Sequence, residues 1–259
     1  MKILSERSLM MDLGSFYIPD KSKSSPMGDD AHFISKHHQT IGLADGVAGW
    51  AKQGIDGGEY ARQLMDNCVT TLYAEDKEIV YPQMVLEEAY VNTNVEGSST
   101  ACIITLTDEY LNVINVGDSG FMLFRNGNMI YKSSIQQHFF NCPCQLGKSS
   151  RCDDPSIAEE LILGVRAGDV VVVGTDGLFD NVFEREMEMV IRVLREEGCL
   201  EPQLLAKLLA ELALENSLIR SGDSPYTIAA LMEGKFRSGG KPDDITVIVA
   251  RIVPPMDIL

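Results

Sequence analysis

Thr100–Lys132 reads TACIITLTDEYLNVINVGDSGFMLFRNGNMIYK, and its punctuation decides the fold class. Four short runs, Thr100–Thr107, Leu111–Val116, Phe121–Arg125 and Met129–Lys132, are rich in β-branched and aromatic residues. They are broken by Thr107-Asp108-Glu109, Gly117-Asp118-Ser119-Gly120 and Asn126-Gly127. Turns this short join antiparallel neighbours, so the stretch predicts a meander. On its N-terminal side, Gly57–Tyr73 places Tyr60, Leu64, Cys68 and Leu72 on one helical face, and Pro82–Asn94 predicts a second helix. Before these, Ala31–Ile34 and Gln39–Ala44 read as a hairpin across Lys36-His37-His38. On the C-terminal side, an irregular loop at Cys142–Pro155 precedes a buried strand, Asp169–Gly174. Amphipathic helices follow at Glu184–Glu197 and Glu201–Asn216, then a Gly- and Ser-rich loop, Ser221–Gly240, and a last strand, Ile245–Val253. The helices come in pairs rather than one between each two strands. That disfavours a doubly wound parallel sheet and favours an α+β layered design, antiparallel sheets covered by helices.

The chain has 259 residues, a net charge of −16, 45% hydrophobic and 23% charged residues. It reads as a single domain over 1–259, with residues 1–11 as an N-terminal extension. The acidity argues against a nucleic-acid or anionic-membrane partner, which needs a basic face. No stretch reaches the length of about 18 apolar residues that spans a bilayer, and residues 1–11 lack the apolar run of a secretory signal. Six scattered cysteines do not resemble a disulfide scaffold and suggest a reducing compartment. Cys142-Pro143-Cys144 with Cys152 nearby lacks the spacing of a structural zinc site, so these read as loop or core thiols.

Four aspartates each follow or precede an apolar strand in a turn: Asp45, Asp118, Asp176 and Asp243. Singly, an Asp in a turn is ordinary. Together they lie far apart in sequence, and only a fold that gathers strand ends brings them into contact. Carboxylates so gathered repel unless a cation neutralises them, and an all-oxygen set without His favours Mg²⁺ or Mn²⁺ over zinc. Asp29 and Asp30 add two carboxylates before the first hairpin strand. Lys21 and Lys23 precede them as phosphate partners or as solvated loop lysines.

Five segments in order, Ala44–Trp50 (ADGVAGW), Gly97–Ala101 (GSSTA), Val116–Ser119 (VGDS), Gly174–Asp180 (GTDGLFD) and Gly240–Thr246 (GKPDDIT), resemble the motifs of the PP2C-type metal-dependent serine/threonine protein phosphatases. The match spans nearly the whole chain, and the DGVAGW and GGKPDDIT forms resemble a subgroup associated with mitochondria and chloroplasts. The resemblance implies a β-sandwich of two antiparallel sheets flanked by pairs of helices, an α-β-β-α arrangement. It also implies hydrolysis of phosphoserine and phosphothreonine monoesters by water held between two Mg²⁺ or Mn²⁺ ions roughly 4 Å apart, without a protein nucleophile. Carried over, Asp45 would bridge the cations with the Gly46 carbonyl beside it. Asp176 and Asp243 would ligate the first cation, Asp29 the second, and Asp30 would act through waters. Asp118 with Asp176 would form a third, weaker site. The implied partner is a phosphoprotein, met by a monomer inside the cell: in the cytoplasm, or in an organelle where a transit peptide has been removed.

Three positions depart from the family pattern. Val47 stands where many members have a His proposed as general acid, Ser25 where an Arg often binds phosphate, and Asp29 where Glu is usual. His32 falls in a predicted strand and His37-His38 in a hairpin turn, and none of His32, His37, His38 and His138 has a partner at metal-ligand spacing; Trp50 and Tyr60 read as packing for the first helix. Ser99-Thr100 reads as support for the metal shell. A pseudophosphatase that binds a partner and a small-molecule phosphatase remain alternatives on the same fold.

Overall fold

A computed structural model describes residues 9–23, 25–74 and 80–255. Its ten principal strands are β1 (Met10–Ile18), β2 (Asp30–Ser35), β3 (Thr40–Asp45), β4 (Ala101–Thr107), β5 (Tyr110–Val116), β6 (Gly120–Arg125), β7 (Asn128–Lys132), β8 (Glu159–Gly164), β9 (Val170–Gly174) and β10 (Ile245–Val253). They make two five-stranded sheets, ordered β1-β10-β9-β6-β7 and β8-β5-β4-β3-β2, with every pairing antiparallel. The helices are α1 (Gly57–Ala74), α2 (Pro82–Asn92), a single turn α3 (Asp176–Phe179), α4 (Glu184–Glu196), α5 (Pro202–Ser217) and α6 (Pro225–Met232).

The expected meander is split. β4 and β5 lie in one sheet, β6 and β7 in the other, and the chain crosses between them at Gly117-Asp118-Ser119. Gly117 makes the crossing at φ +99°, a backbone conformation that a side chain disfavours. The turn that looked like a hairpin is therefore a passage between layers, and it leaves Asp118 at the end of the sandwich.

Between the sheets, Ile41, Leu43, Cys102, Ile104, Phe121, Leu123, Val171, Val173, Ile248 and Ala250 form one core. The alternate residues face the helices. Ile103 and Ile114 pack with Tyr60, Leu64 and Leu86 under α1 and α2, and Val172, Val247 and Val249 pack with Met187, Ile191, Leu205 and Leu209 under α4 and α5. Both faces of the central strands are thus covered. That is why VVVV and ITVIVA read as unbroken apolar runs although their sheet is antiparallel. Each such side chain contributes about 1.5–3 kcal/mol by leaving water. The four layers are the α-β-β-α arrangement that the resemblance implied.

Three elements differ from the sequence reading. Met10 and Met11 belong to β1, which pairs with β10 along its full length, so they are not an extension; residues 1–8 lie outside the described residues. β8 is an edge strand with alternate residues exposed, and its EELILG sequence carries too little apolar signal to stand out. The loop read at Ser221–Gly240 contains α6. Its start is capped reciprocally: Thr227 N donates to Ser224 Oγ (3.2 Å) and Ser224 N to Thr227 Oγ1 (2.8 Å), with Pro225 in the first turn.

Candidate active site

Register places the motif residues at one end of the sandwich. Asp30, the first residue of β2, pairs directly with Asp45, the last of β3. Gly174, the last of β9, pairs with Gly120 on one side and Val247 on the other. The turns carrying Asp118, Asp176 and Asp243 therefore emerge level with one another. At the opposite end, Asp169 precedes β9 and meets the Arg125 guanidinium in a two-pronged pair (2.9 and 2.7 Å). One end of this sheet is closed by an ion pair, and the other collects acids.

Backbone contacts fix Asp45. Its amide donates to Thr100 Oγ1 (3.0 Å) and its carbonyl accepts from Thr100 N (2.9 Å), while Thr100 Oγ1 also bonds Ser119 Oγ (2.6 Å). Thr100 thus supports Asp45 as expected. Ser99 contributes through its backbone, bridged to Gly46. A side chain on Gly46 would collide with the carbonyl oxygens of Gly57 and Asp29, so only glycine fits beneath the site. Asp30 ties the two sheets: its Oδ2 accepts from Thr175 Oγ1 (2.9 Å) and Thr246 Oγ1 (2.7 Å), and its Oδ1, though buried, has no protein partner. Asp176 Oδ1 is likewise buried without one.

Two ammonium groups lie among the carboxylates. Lys23 Nζ contacts Asp244 Oδ2 (2.6 Å), Asp243 Oδ1 (2.7 Å) and Asp29 Oδ2 (3.1 Å). Lys241 Nζ contacts Asp176, Asp180 Oδ2 (2.8 Å) and Asp243 Oδ2 (3.7 Å). Of the two lysines read as phosphate partners or solvated loop residues, Lys21 is exposed in its turn and makes no ion pair with these acids among the described residues. Lys23, two residues on, sits among three carboxylates.

The acids perturb one another. Burial raises Asp45 well above the usual carboxylate range, and Asp30, Asp176, Asp243 and Asp118 add to the rise. Burial, with Asp244 next, does the same for Asp30. Burial and then Asp176 push Asp118 up to about 8, against the pull of Lys241. Asp243 rises to about 6 through burial and Asp176, offset by Lys23 and Lys241. Burial also lifts Asp29, offset by Lys23. Asp176 alone among these is held low: burial opposes its charge, but the Lys241 ammonium outweighs it. Such a set of mutually strained carboxylates at one end of the sandwich marks a functional site.

Curated proteins are similar over most of the chain. It is 42% identical over 249 residues to "Probable protein phosphatase 2C 55" of Arabidopsis thaliana, covering 96% of this chain and 53% of that protein. It is 35% identical over 259 residues to "Probable protein phosphatase 2C 26" of the same plant, covering 95% of this chain and 85% of that protein. The chain belongs to the protein phosphatase 2C family. A solved structure described as "X-ray structure of the photosystem II phosphatase PBCP" superposes with a TM-score of 0.85 at 32% identity, covering 93% of this chain and 98% of that one. No family model matches. The chain spans about half the length of the first of these relatives.

As a protein phosphatase 2C chain, it gathers all seven residues read as ligands (Asp29, Asp30, Asp45, Gly46, Asp118, Asp176 and Asp243) at one end of the sandwich. Sequence reasoning missed four others. Asp180 and Lys241 pair as described. Asp244 is a buried clamp, accepting from Asp20 N (2.7 Å) and Asp29 N (2.8 Å) as well as from Lys23. Asn181 holds the Lys241 backbone, donating to Lys241 O (2.8 Å) and accepting from Lys241 N (2.8 Å). All four lie within or beside the quoted motifs. Asp244, one place after Asp243 in a buried strand start, was the most accessible to inspection.

The role of Lys241 can be measured. Lys241→Met removes the counter-charge shared by Asp176, Asp180 and Asp243. In chelator it is expected to lower unfolding stability by about 3 kcal/mol or more, the cost of breaking a buried charge pair. In Mn²⁺ a second cation is available and most of that loss should be recovered. Urea titrations with and without Mn²⁺ read both.

Proposed function

We propose that this chain hydrolyses phosphoserine and phosphothreonine monoesters in proteins, using divalent cations held by Asp29, Asp45, Asp176 and Asp243, with the Gly46 carbonyl and Asp30 in support. The observation that carries this is the convergence of those carboxylates, with buried oxygens on Asp30 and Asp176 left without a partner. The donor set is oxygen only, which suits Mg²⁺ or Mn²⁺. Two such ions, when bound, supply a water of lowered pKa and offset charge on a phosphoryl group. A third, weaker position would fall to Asp118 and Asp176.

The chain's own residues prepare that centre. The two Thr100 hydrogen bonds hold the Asp45 backbone rigid, so its carboxylate starts from a fixed origin. The Asp30 bonds to Thr175 and Thr246 lock the two sheets at the depth of the site. Lys241 keeps Asp176 ionised at neutral pH, the form a cation needs. Where many relatives have a His, Val47 offers no proton, and its amide is spent on Ser98 O (3.0 Å).

The protein substrate class rests on the family and on the phosphatase named in the similar solved structure. Release of phosphate from a phosphothreonine peptide is the test, run with Mn²⁺, with Mg²⁺ and with EDTA. Metal-dependent release is expected. Its absence with every metal, from folded protein, would leave a binding module, and turnover of a small phosphate ester alone would give a metabolite phosphatase.

A further inference from the structure

The second cluster of ligand-type side chains lies outside the carboxylate centre, in the segment between β7 and β8. There His138, Cys144 and Asp153 place one nitrogen, one sulfur and one carboxylate oxygen all within 4.8 Å of one another. The Cys-x-Cys spacing concealed this, because the partners of Cys144 come from a hairpin strand before it and from a turn after it. Gln137–Phe139 pairs with Cys142–Pro143, which turns His138 towards the cluster, and Leu146 bridges Asp153 in parallel. His138 Nε2 lies 2.9 Å from Asp153 Oδ2, which also accepts from Gln145 N (2.9 Å). The Asp153 side chain is therefore oriented by the backbone, as metal-binding carboxylates are. The His138 ring is half exposed and Asp153 mostly covered, so an ion has an entry path.

We propose that His138, Cys144 and Asp153 bind one transition-metal ion of the zinc class, with a fourth position open to water. One imidazole, one thiolate and one carboxylate make a mixed borderline-soft set that suits Zn²⁺ in tetrahedral geometry. It differs in kind from the all-oxygen centre, so the two sites separate by ion chemistry. Binding requires the Cys144 thiol to give its proton to solvent.

The position gives such an ion a structural consequence. Cys144 N donates to Gln136 O (3.0 Å), and Gln136 is bonded twice to Gly117, through Gln136 N to Gly117 O (2.9 Å) and Gly117 N to Gln136 Oε1 (3.1 Å). Leu146–Gly147 pairs with Ser98–Ser99, and Ser99 bridges Gly46. An ion on this cluster fastens the segment that borders both the Asp118 turn and the floor beneath Asp45.

Co²⁺ replaces Zn²⁺ in such sites and reports thiolate ligation by an intense charge-transfer absorption. Protein stripped with chelator is titrated with Co²⁺ in excess Mg²⁺, which fills oxygen sites, and Zn²⁺ is then added. We expect the band to saturate at one equivalent and to disappear with Zn²⁺. Cys144→Ser should abolish it, and His138→Ala should weaken Co²⁺ binding about 10–100-fold, at least as much as loss of an outer partner does. Cys142→Ser and Asp176→Asn should leave it unchanged. The Asp176 variant separates this result from the phosphatase reading, which rests on other residues. Circular dichroism checks that each variant is folded. A folded wild-type protein without the band, a band that survives in folded Cys144→Ser, or a folded His138→Ala variant that binds Co²⁺ as tightly as the wild type overturns the proposal.

Discussion

Asp45→Asn is expected to lower metal-dependent phosphate release by at least about a hundredfold, since divalent cations supply several kcal/mol of charge stabilisation to such a reaction. The same substitution should make the protein harder to unfold when no divalent cation is present. The two effects have one cause. Asp45 stands where burial and four other carboxylates oppose its charge. Each unit by which a carboxyl is raised is about 1.4 kcal/mol of cost once it ionises, so a neutral amide relieves about 1 kcal/mol or more at pH 8. The backbone bonds to Thr100 do not involve the side chain and remain. Urea denaturation in EDTA beside a phosphopeptide assay in Mn²⁺ reads both halves. A variant that loses activity and also becomes less stable in EDTA would show that Asp45 is a structural acid.

The second large effect is on the pH dependence of stability. Asp118 is raised to about 8, Asp243 and Asp180 to about 6, and Asp30, Asp45 and Asp29 are raised as well. Unfolded aspartates titrate near 3.9. Between about pH 4 and 8 the folded protein therefore binds more protons than the unfolded chain, and stability falls as pH rises. Asp176 has the opposite sign, but its folded value is depressed, so its contribution is lost only below about pH 4, outside this window. In chelator, Tm should be about 5 °C or more lower at pH 8 than at pH 6, at about 2–4 °C per kcal/mol for a chain of this size. Mn²⁺ should raise Tm more at pH 8, where protons no longer compete for the carboxylates. Differential scanning calorimetry at the two pH values decides it. A Tm that rises with pH in chelator would mean the acids are not mutually strained.

Much of this was legible because strand ends and acids share short, ordered motifs. The β3 and β9 strands are apolar up to Asp45 and Thr175-Asp176, so each acid marks its own place at the sheet end. The layering was readable from the paired helices. The switch of sheet at Gly117 was not, because a turn between two strands looks the same whether they are neighbours or lie in opposite layers. β1 and β8 were missed for a related reason: strands at a sheet edge keep polar or exposed residues and lose the apolar run. At the site, charges were readable but pairings were not. Nothing local distinguishes Lys23, drawn in by Asp29, Asp243 and Asp244, from Lys21 two residues earlier. His138 looked unpartnered because Cys144 and Asp153 reach it only through the folded hairpin.

The most direct test of the account is a crystal grown with Mn²⁺ and measured for anomalous scattering at the manganese edge. The account predicts two strong peaks, both in contact with the Asp45 carboxylate, one reaching Asp176 and Asp243 and the other Asp29, with the Lys23 and Lys241 ammonium groups moved off the carboxylates they now contact. Well-ordered Asp45, Asp176 and Asp243 with no peak between them, and both lysines still in place, would contradict it.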